Sequence, residues 1–191
     1  MIPRSSRIPP LSRPQIAEQT REVLHRGGWG NADVLLVEAD GIPVVVKDFS
    51  PRGHFVRRFL APRLIAREEA AYRALEGISA VPRLLGRLDG IALVLEYRPG
   101  TFLSRQLAGK LPPEFLPDLE QTIDQMHRRG VVHLDLRHRS NILAGPDGRP
   151  IVIDFTSALR FDVGTVWGRM LTSLFGWVDR RALEKWRVRL V

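Results

Sequence analysis

His133-Leu134-Asp135-Leu136-Arg137-His138-Arg139-Ser140-Asn141-Ile142-Leu143, followed eleven residues after Leu143 by Asp154-Phe155-Thr156, decides how this chain is read. An aspartate comes shortly after the apolar pair Val131-Val132, and an asparagine follows it six residues later. Singly, either residue reads as turn chemistry, because short polar side chains bond their own backbone. As a pair they ask for more. The second aspartate closes the apolar run Ile151-Val152-Ile153, and a carboxylate at the end of a buried strand is costly unless something pairs with it. A divalent cation is the obvious partner. Asn141 and Asp154 offer hard oxygens of the kind Mg2+ prefers while it keeps phosphate oxygens beside them.

Upstream, Lys47 ends the run Val44-Val45-Val46. A lysine on an apolar strand points a charge into a cleft, where it suits phosphate oxygens. Once buried it needs an anion, and the next helical segment offers Glu68 and Glu69. Glu68 shares a helical face with Ala71, Tyr72 and Leu75, whereas Glu69 falls with Arg73 and Glu76. Glu68 is therefore the expected partner, with Glu69 as the alternative. Ahead of this strand stands Gly27-Gly28-Trp29-Gly30. Three glycines in four positions let a backbone close over phosphates, and they equally suit a plain hairpin loop.

Glycine-rich turn, strand lysine, helix glutamate, an H-x-D-L loop with a later asparagine, and D-F-x occur in one order over residues 27–156. That order resembles the protein-kinase-like superfamily, with its G-x-x-G, V-A-I-K, helix glutamate, H-R-D…N and D-F-G elements. It is similar above all to the small bacterial lipopolysaccharide (Kdo) kinase and RIO-like group. Pro43-Val44-Val45-Val46-Lys47-Asp48-Phe49, Val81-Pro82-Arg83-Leu84-Leu85-Gly86 and Leu136 through Leu143 carry that likeness, which covers roughly residues 24–160.

The resemblance implies an α+β, minimal bilobal kinase-like fold: a β-sheet N-lobe with one helix and a truncated helical C-lobe. A single domain would span 1–191, with an N-terminal arm over 1–23, the N-lobe over 24–97 and a short C-lobe over 98–191. It also implies ATP and Mg2+ as cofactors and a role for each residue of the set. Gly27, Gly28 and Gly30 would lie over the nucleotide phosphates, with Trp29 at the loop tip. Lys47 would hold the α- and β-phosphates, oriented by Glu68. Val45 and Leu143 would line the adenine pocket, with Glu96 and Tyr97 on the connecting hinge. Asp135 would orient the acceptor hydroxyl and receive its proton. Arg137 occupies the place where protein kinases carry a lysine that neutralises the transferred phosphoryl group. Asn141 and Asp154 would hold the metal.

The chain also departs from that pattern. Asp135 and Asn141 are six apart, where most kinases have five, so the catalytic loop carries an extra residue. Thr156 replaces the glycine of D-F-G, which removes a permissive hinge and suggests a fixed Asp154. No A-P-E motif follows, and 37 residues remain after Asp154, so a protein-kinase activation segment and peptide-docking helices are not expected. Asp179 is read either as an anchor for the catalytic loop from a later helix or as a plain N-cap.

The remaining sequence supplies the frame. Asp40-Gly41 between Val34–Val37 and Val44–Val46 predicts a hairpin. Phe55 to Glu76 predicts a helix interrupted near Pro62, with Gly77 just beyond its end. Ile91–Leu95 reads as a buried strand. Leu116, Leu119, Ile123 and Met126, at steps of three, four and three, predict one apolar helix face that Gly130 stops. Val131-Val132, Ile142-Leu143 and Ile151–Ile153 are short strand candidates, and Asp179 to Leu190 reads as a basic helix. Residues 1–20, with Pro3, Pro9, Pro10 and Pro14, read as an extended arm.

Composition narrows the class further. With 44% apolar and 26% charged residues the chain folds, and without cysteine it has no disulfide scaffold, thiol catalysis or cysteine metal site. No apolar run approaches the roughly 20 residues of a spanning helix, and Met1-Ile2-Pro3-Arg4 lacks a secretory h-region; a cytoplasmic location is expected. The net charge of +8 fits a polyanionic partner or merely an arginine-rich surface. In the segments Arg52–Arg67 and Trp167–Arg189 the aromatics are read as core and the arginines as solvated. The alternative is that both rest peripherally on the anionic inner face of a membrane. No motif supports nucleic-acid binding.

The expected function is an ATP- and Mg2+-dependent kinase acting on a hydroxyl of a small or lipid-linked acceptor, such as a lipopolysaccharide sugar. The alternatives are a RIO-like serine/threonine protein kinase and a nucleotide-binding pseudokinase serving as a regulatory module.

Overall fold

Asp40 and Gly41 adopt φ of +48° and +78°, the doubly left-handed pair whose twist matches that of a hairpin's strands. They join β2 (Asp33–Ala39) to β3 (Ile42–Asp48), as the sequence predicts. The computed structural model describes residues 11–190. These form two compact units: the chain up to Glu69 together with Arg83–Tyr97, and Ala70–Pro82 together with the chain from Arg98 onward. The fold is α+β, with the large sheet in the N-terminal part and most of the helix in the C-terminal part.

The first unit is an antiparallel sheet in the order β1-β2-β3-β5-β4, where β1 is Thr20–His25, β4 Leu84–Asp89 and β5 Ala92–Glu96. Side chains alternate across it. Val37, Ala39, Val44, Val46, Ala92 and Val94 fill one face, joined by Ile16 of α1 (Arg13–Gln19). On β3 that leaves Val45 and Lys47 on the opposite face.

The extended arm expected over 1–20 is helical in most of its described part. Residues 13–19 are helical and 20–25 are the edge strand. The helix is fixed at its start: Gln15 Oε1 accepts from Ser12 N at 2.8 Å, and Pro14 sits in the first turn, where its missing N–H costs nothing. Arg13 straps it down through Asp48 at 2.6 Å and Asp89 at 2.7 Å. Met1–Arg4 and the prolines Pro3, Pro9 and Pro10 lie outside the described residues.

Pro62 does not break its helix. A single wide turn, Val56–Leu60, leads into α2 (Ala61–Ala74), and Pro62 falls in the first turn of α2. Gly77 lies just past the end with φ of +88°.

In the second unit α3 (Phe115–Arg128) buries Leu119, Ile123 and Met126 as read from the sequence, but Phe115 takes the place expected for Leu116, which is only half-buried. It packs against α4 (Val166–Leu190). Short ladders complete the unit: β7 (Val131–Val132) with β10 (Leu159–Arg160), and β6 (Thr101–Phe102), β8 (Ile142–Ala144) and β9 (Pro150–Val152) in the order β6-β8-β9. The final helix starts thirteen residues before the predicted Asp179, at Val166. Asp179 is therefore mid-helix and is no N-cap. The aromatics read as core are in part exposed: Phe55, Phe59, Trp167 and Trp177 face solvent, while Trp186 is buried.

Candidate active site

In the first unit Lys47 is buried and stands opposite Val34 and Leu93 in the ladder. Its Nζ donates to Glu68 Oε1 at 2.7 Å. Glu68 is 2% exposed, whereas Glu69 lies 3.5 Å from Arg87; helical phase separates the two neighbours as the sequence suggests. A buried cation and carboxylate hold together because either alone would leave an uncompensated charge.

The turn between β1 and β2 carries the three glycines. A Cβ on Gly27 would lie 2.3 Å from the Asn31 carbonyl oxygen and 2.4 Å from that of Ala32, so only glycine fits there. Gly28 and Gly30 have room for a side chain. The turn is pinned by Gly27 N donating to Asp33 Oδ1 at 2.9 Å, and the buried Asp33 is paired in turn with Arg52. Trp29 is exposed at the tip. Val45 pairs with Leu36 and Leu95. Glu96 accepts from Arg83 N at 3.0 Å, and half-buried Tyr97 closes the unit.

In the second unit the segment His133–Asn141 forms one connected loop. His138 N donates to the Asp135 carbonyl at 3.1 Å and Asn141 N to that of His138 at 3.2 Å. Two successive turns thus absorb the extra residue. The Asn141 carboxamide donates to Asp135 O and to Asp135 Oδ2, both at 2.9 Å. One side chain fixes the aspartate by backbone and carboxylate at once. Arg137 is exposed.

The loop hangs from α4. Asp179, with no exposed surface, accepts from His133 N and Leu134 N at 2.8 Å each and from His127 Nε2 at 3.0 Å. Leu134 takes φ of +69°, a strained choice for a residue with a bulky side chain; its bonded N–H helps hold it there. Farther along α4, Trp186 Nε1 donates to the Leu136 carbonyl at 2.9 Å and Lys185 Nζ to that of Arg137. Burial, with the positive charges of Arg189 and Arg137, pulls the Lys185 ammonium below its ordinary range, and Asp135 pulls the other way. The anchoring role weighed for Asp179 matches this geometry, and Lys185 and Trp186 extend it. Trp186, seven residues after Asp179, falls on the same helix face, whereas Lys185 lies about 120° round the helix and reaches back with its long side chain.

Asp154 follows β9 with φ of +64° and ψ of +75°. Its Oδ1 accepts from Thr156 N at 3.3 Å and from Thr156 Oγ1 at 2.7 Å, so the threonine hydroxyl adds a bond that a glycine lacks. Phe155 is fully buried, its ring 5.0 Å from Tyr72 and 4.8 Å from His133. The His133 ring sits between Ile153 O at 3.0 Å from Nε2 and the Asp135 N–H at 3.4 Å from Nδ1. The tautomer with its proton on Nε2 suits both contacts.

These residues suit a hard cation. Ile153 N donates to the Asn141 carbonyl at 3.0 Å, which sets the residue before Asp154 beside Asn141. With its amide nitrogen committed to Asp135, Asn141 leaves Oδ1 as its coordinating end, an oxygen that also accepts from Ser140 Oγ at 3.1 Å. No cluster of three His, Cys, Asp or Glu side chains able to hold a metal occurs among the described residues. Two oxygen donors fit an ion that completes its shell with phosphate and water, as Mg2+ does. Leu143, buried in β8, pairs with Phe102 and Ile151.

No protein-family model matches the chain. Over 164 residues it is 26% identical to serine/threonine-protein kinase D of Synechocystis sp. (strain ATCC 27184 / PCC 6803 / Kazusa), covering 80% of this chain and 32% of that protein. The match supports a protein-kinase-like relationship. The chain spans about a third of the length of that relative. No helix among the described residues is long and apolar enough to cross a membrane.

Proposed function

We propose that this protein is an ATP- and Mg2+-dependent phosphotransferase whose acceptor is the hydroxyl of a small or lipid-linked molecule, a lipopolysaccharide sugar being the class that the resemblance favours. The observation that carries the reading is the held carboxylate of Asp135, bonded by Asn141 and suspended from α4. In this reading the acceptor oxygen attacks the γ-phosphorus of ATP, and its proton passes to Asp135. The bond from that phosphorus to the bridging oxygen breaks, and the electron pair leaves on ADP. Little covalent help is needed, so catalysis is positioning and charge.

Lys47, held by Glu68, contributes a point charge for the α- and β-phosphates. Gly27, Gly28 and Gly30 give a backbone free to approach phosphate oxygens, and Val45, Leu143, Glu96 and Tyr97 receive the base. Arg137 offers its guanidinium to the transferred group. Asn141 and Asp154 would hold Mg2+, which when bound neutralises charge on the phosphate oxygens. The whole chain acts as one kinase-like domain, in the cytoplasm or peripherally at the inner membrane face. The similarity to a serine/threonine-protein kinase favours a second reading, in which the acceptor is a protein serine or threonine.

Calorimetry with and without Mg2+ tests the metal assignment. Asp154→Ala removes the strand-end carboxylate and is expected to abolish the tightening of ATP binding by Mg2+, while metal-free ATP affinity stays near wild type. An unchanged metal dependence would move that role to another residue.

A further inference from the structure

The helix α4 carries apolar side chains on two opposite faces. One face, with Gly168, Thr172, Gly176, Asp179 and Leu183, is buried. Opposite it stand Trp167, Met170, Leu174 and Trp177, exposed by 70%, 50%, 64% and 58%. Their steps of three, four and three keep them in one stripe about 15 Å long. A helix apolar on two faces is ordinarily buried on both; here one of the two is left in water.

Arg181, four residues after Trp177, continues the stripe, with its guanidinium 5.1 Å from the Trp177 ring. It pairs with no carboxylate among the described residues, whereas Arg180 pairs with Asp124 at 2.9 Å. Beside them lies a groove of about 400 Å3 lined by Trp177, Arg180, Arg181, Leu183, Glu120 and Glu184. Both glutamates are occupied by Arg187, at 2.5 and 2.7 Å, which leaves Arg181 as the uncommitted charge. Indole beside guanidinium suits the boundary between lipid headgroups and acyl chains, where one end of the contact is apolar and the other meets phosphate.

We propose that this stripe docks the protein on an anionic bilayer: Trp167, Met170, Leu174 and Trp177 enter the acyl boundary and Arg181 takes lipid phosphate. Charge chooses lipid over a second copy of the chain. A second copy would bring +8 against +8, whereas an anionic surface attracts that charge, and Arg181 at the end of the stripe meets no carboxylate among the described residues. The purpose of docking, reach to a lipid-linked acceptor, rests on the reading proposed above; the lipid contact itself does not.

Flotation of the full chain with vesicles tests it. The wild type is expected to float with vesicles of equal parts phosphatidylcholine and phosphatidylglycerol, more weakly with phosphatidylcholine alone, and less in high salt. Trp167→Ser/Trp177→Ser, and separately Leu174→Glu, should lower vesicle affinity at least tenfold while leaving the melting temperature near wild type, because these side chains are exposed. Arg181→Gln should weaken binding to the anionic vesicles only. Wild-type flotation in the stripe variants, or no flotation of the wild type, overturns the proposal. So does a dimer in sedimentation velocity that the same substitutions dissolve, which would assign the stripe to a second copy. Phosphoryl transfer to a water-soluble acceptor, measured on the same preparations, keeps the two readings apart: vesicle binding without transfer sinks only the enzymatic one.

Discussion

Asp135→Asn is expected to keep the fold and the affinity for ATP while phosphoryl transfer slows by about 10²–10⁴-fold, the usual contribution of a positioned proton acceptor. The substitution is nearly isosteric. An asparagine carbonyl can still accept from Asn141 Nδ2, which now reaches both the carboxylate and the backbone of Asp135 at 2.9 Å. The bonds that shape the loop therefore survive. Only the capacity to receive the acceptor's proton is lost. Single-turnover rates at saturating ATP, beside a melting curve and a nucleotide titration of the same preparation, separate these effects. A folded variant that transfers phosphate at the wild-type rate would remove Asp135 from the reaction.

Asp179→Ala should act on both stability and rate. The carboxylate is wholly buried and receives the N–H groups of His133 and Leu134 as well as the His127 ring. Alanine strands two backbone donors, each costing about 1–3 kcal/mol when left unsatisfied, so a loss of about 2–6 kcal/mol is expected in denaturant unfolding. The strained Leu134, at φ of +69°, also loses its tether and can relax. A displacement of about 1 Å in a reacting group can cost on the order of 10²-fold in rate, so turnover per folded molecule should fall as well. Asp179→Asn retains one acceptor oxygen and should lie between. An unfolding midpoint unchanged in Asp179→Ala would show that α4 does not hold the loop.

The sequence made some parts of this molecule legible because their cause is local. Asp40-Gly41 dictates its own turn, and the α3 face follows from the spacing of Leu119, Ile123 and Met126. The charged residues of the candidate site were equally visible, since their types and order are conspicuous without coordinates. Helical phase favoured Glu68 over Glu69, with Glu69 left as the alternative.

What escaped notice depends on distant partners or on a masked period. The strand β1 is an edge strand exposed along most of its length, so it shows no alternation and is identifiable only by pairing with β2. Helix α1 buries one residue, Ile16; its sequence signal was the Ser12-x-x-Gln15 start, which is easily lost among prolines. The first half of α4 was missed because Trp167, Met170, Leu174 and Trp177 are apolar on the face that ordinarily reads polar. The error about those aromatics and the missed helix start have one origin. Lys185 bonds a distant carbonyl and leaves no local motif, and Trp186 shows in the sequence only as a seven-residue step from Asp179.

The most direct test of phosphotransferase activity is transfer of γ-labelled phosphate from ATP with Mg2+ to acceptors offered side by side: a lipopolysaccharide-core oligosaccharide, a serine/threonine peptide, and water. The expected result is label on the sugar hydroxyl that disappears in Asp135→Asn, with little released to water. Label on the peptide alone would keep the kinase and change its acceptor. ATP bound tightly with Mg2+, but with no label passed to any hydroxyl under any condition, would contradict the enzymatic reading and leave a nucleotide-binding regulatory module.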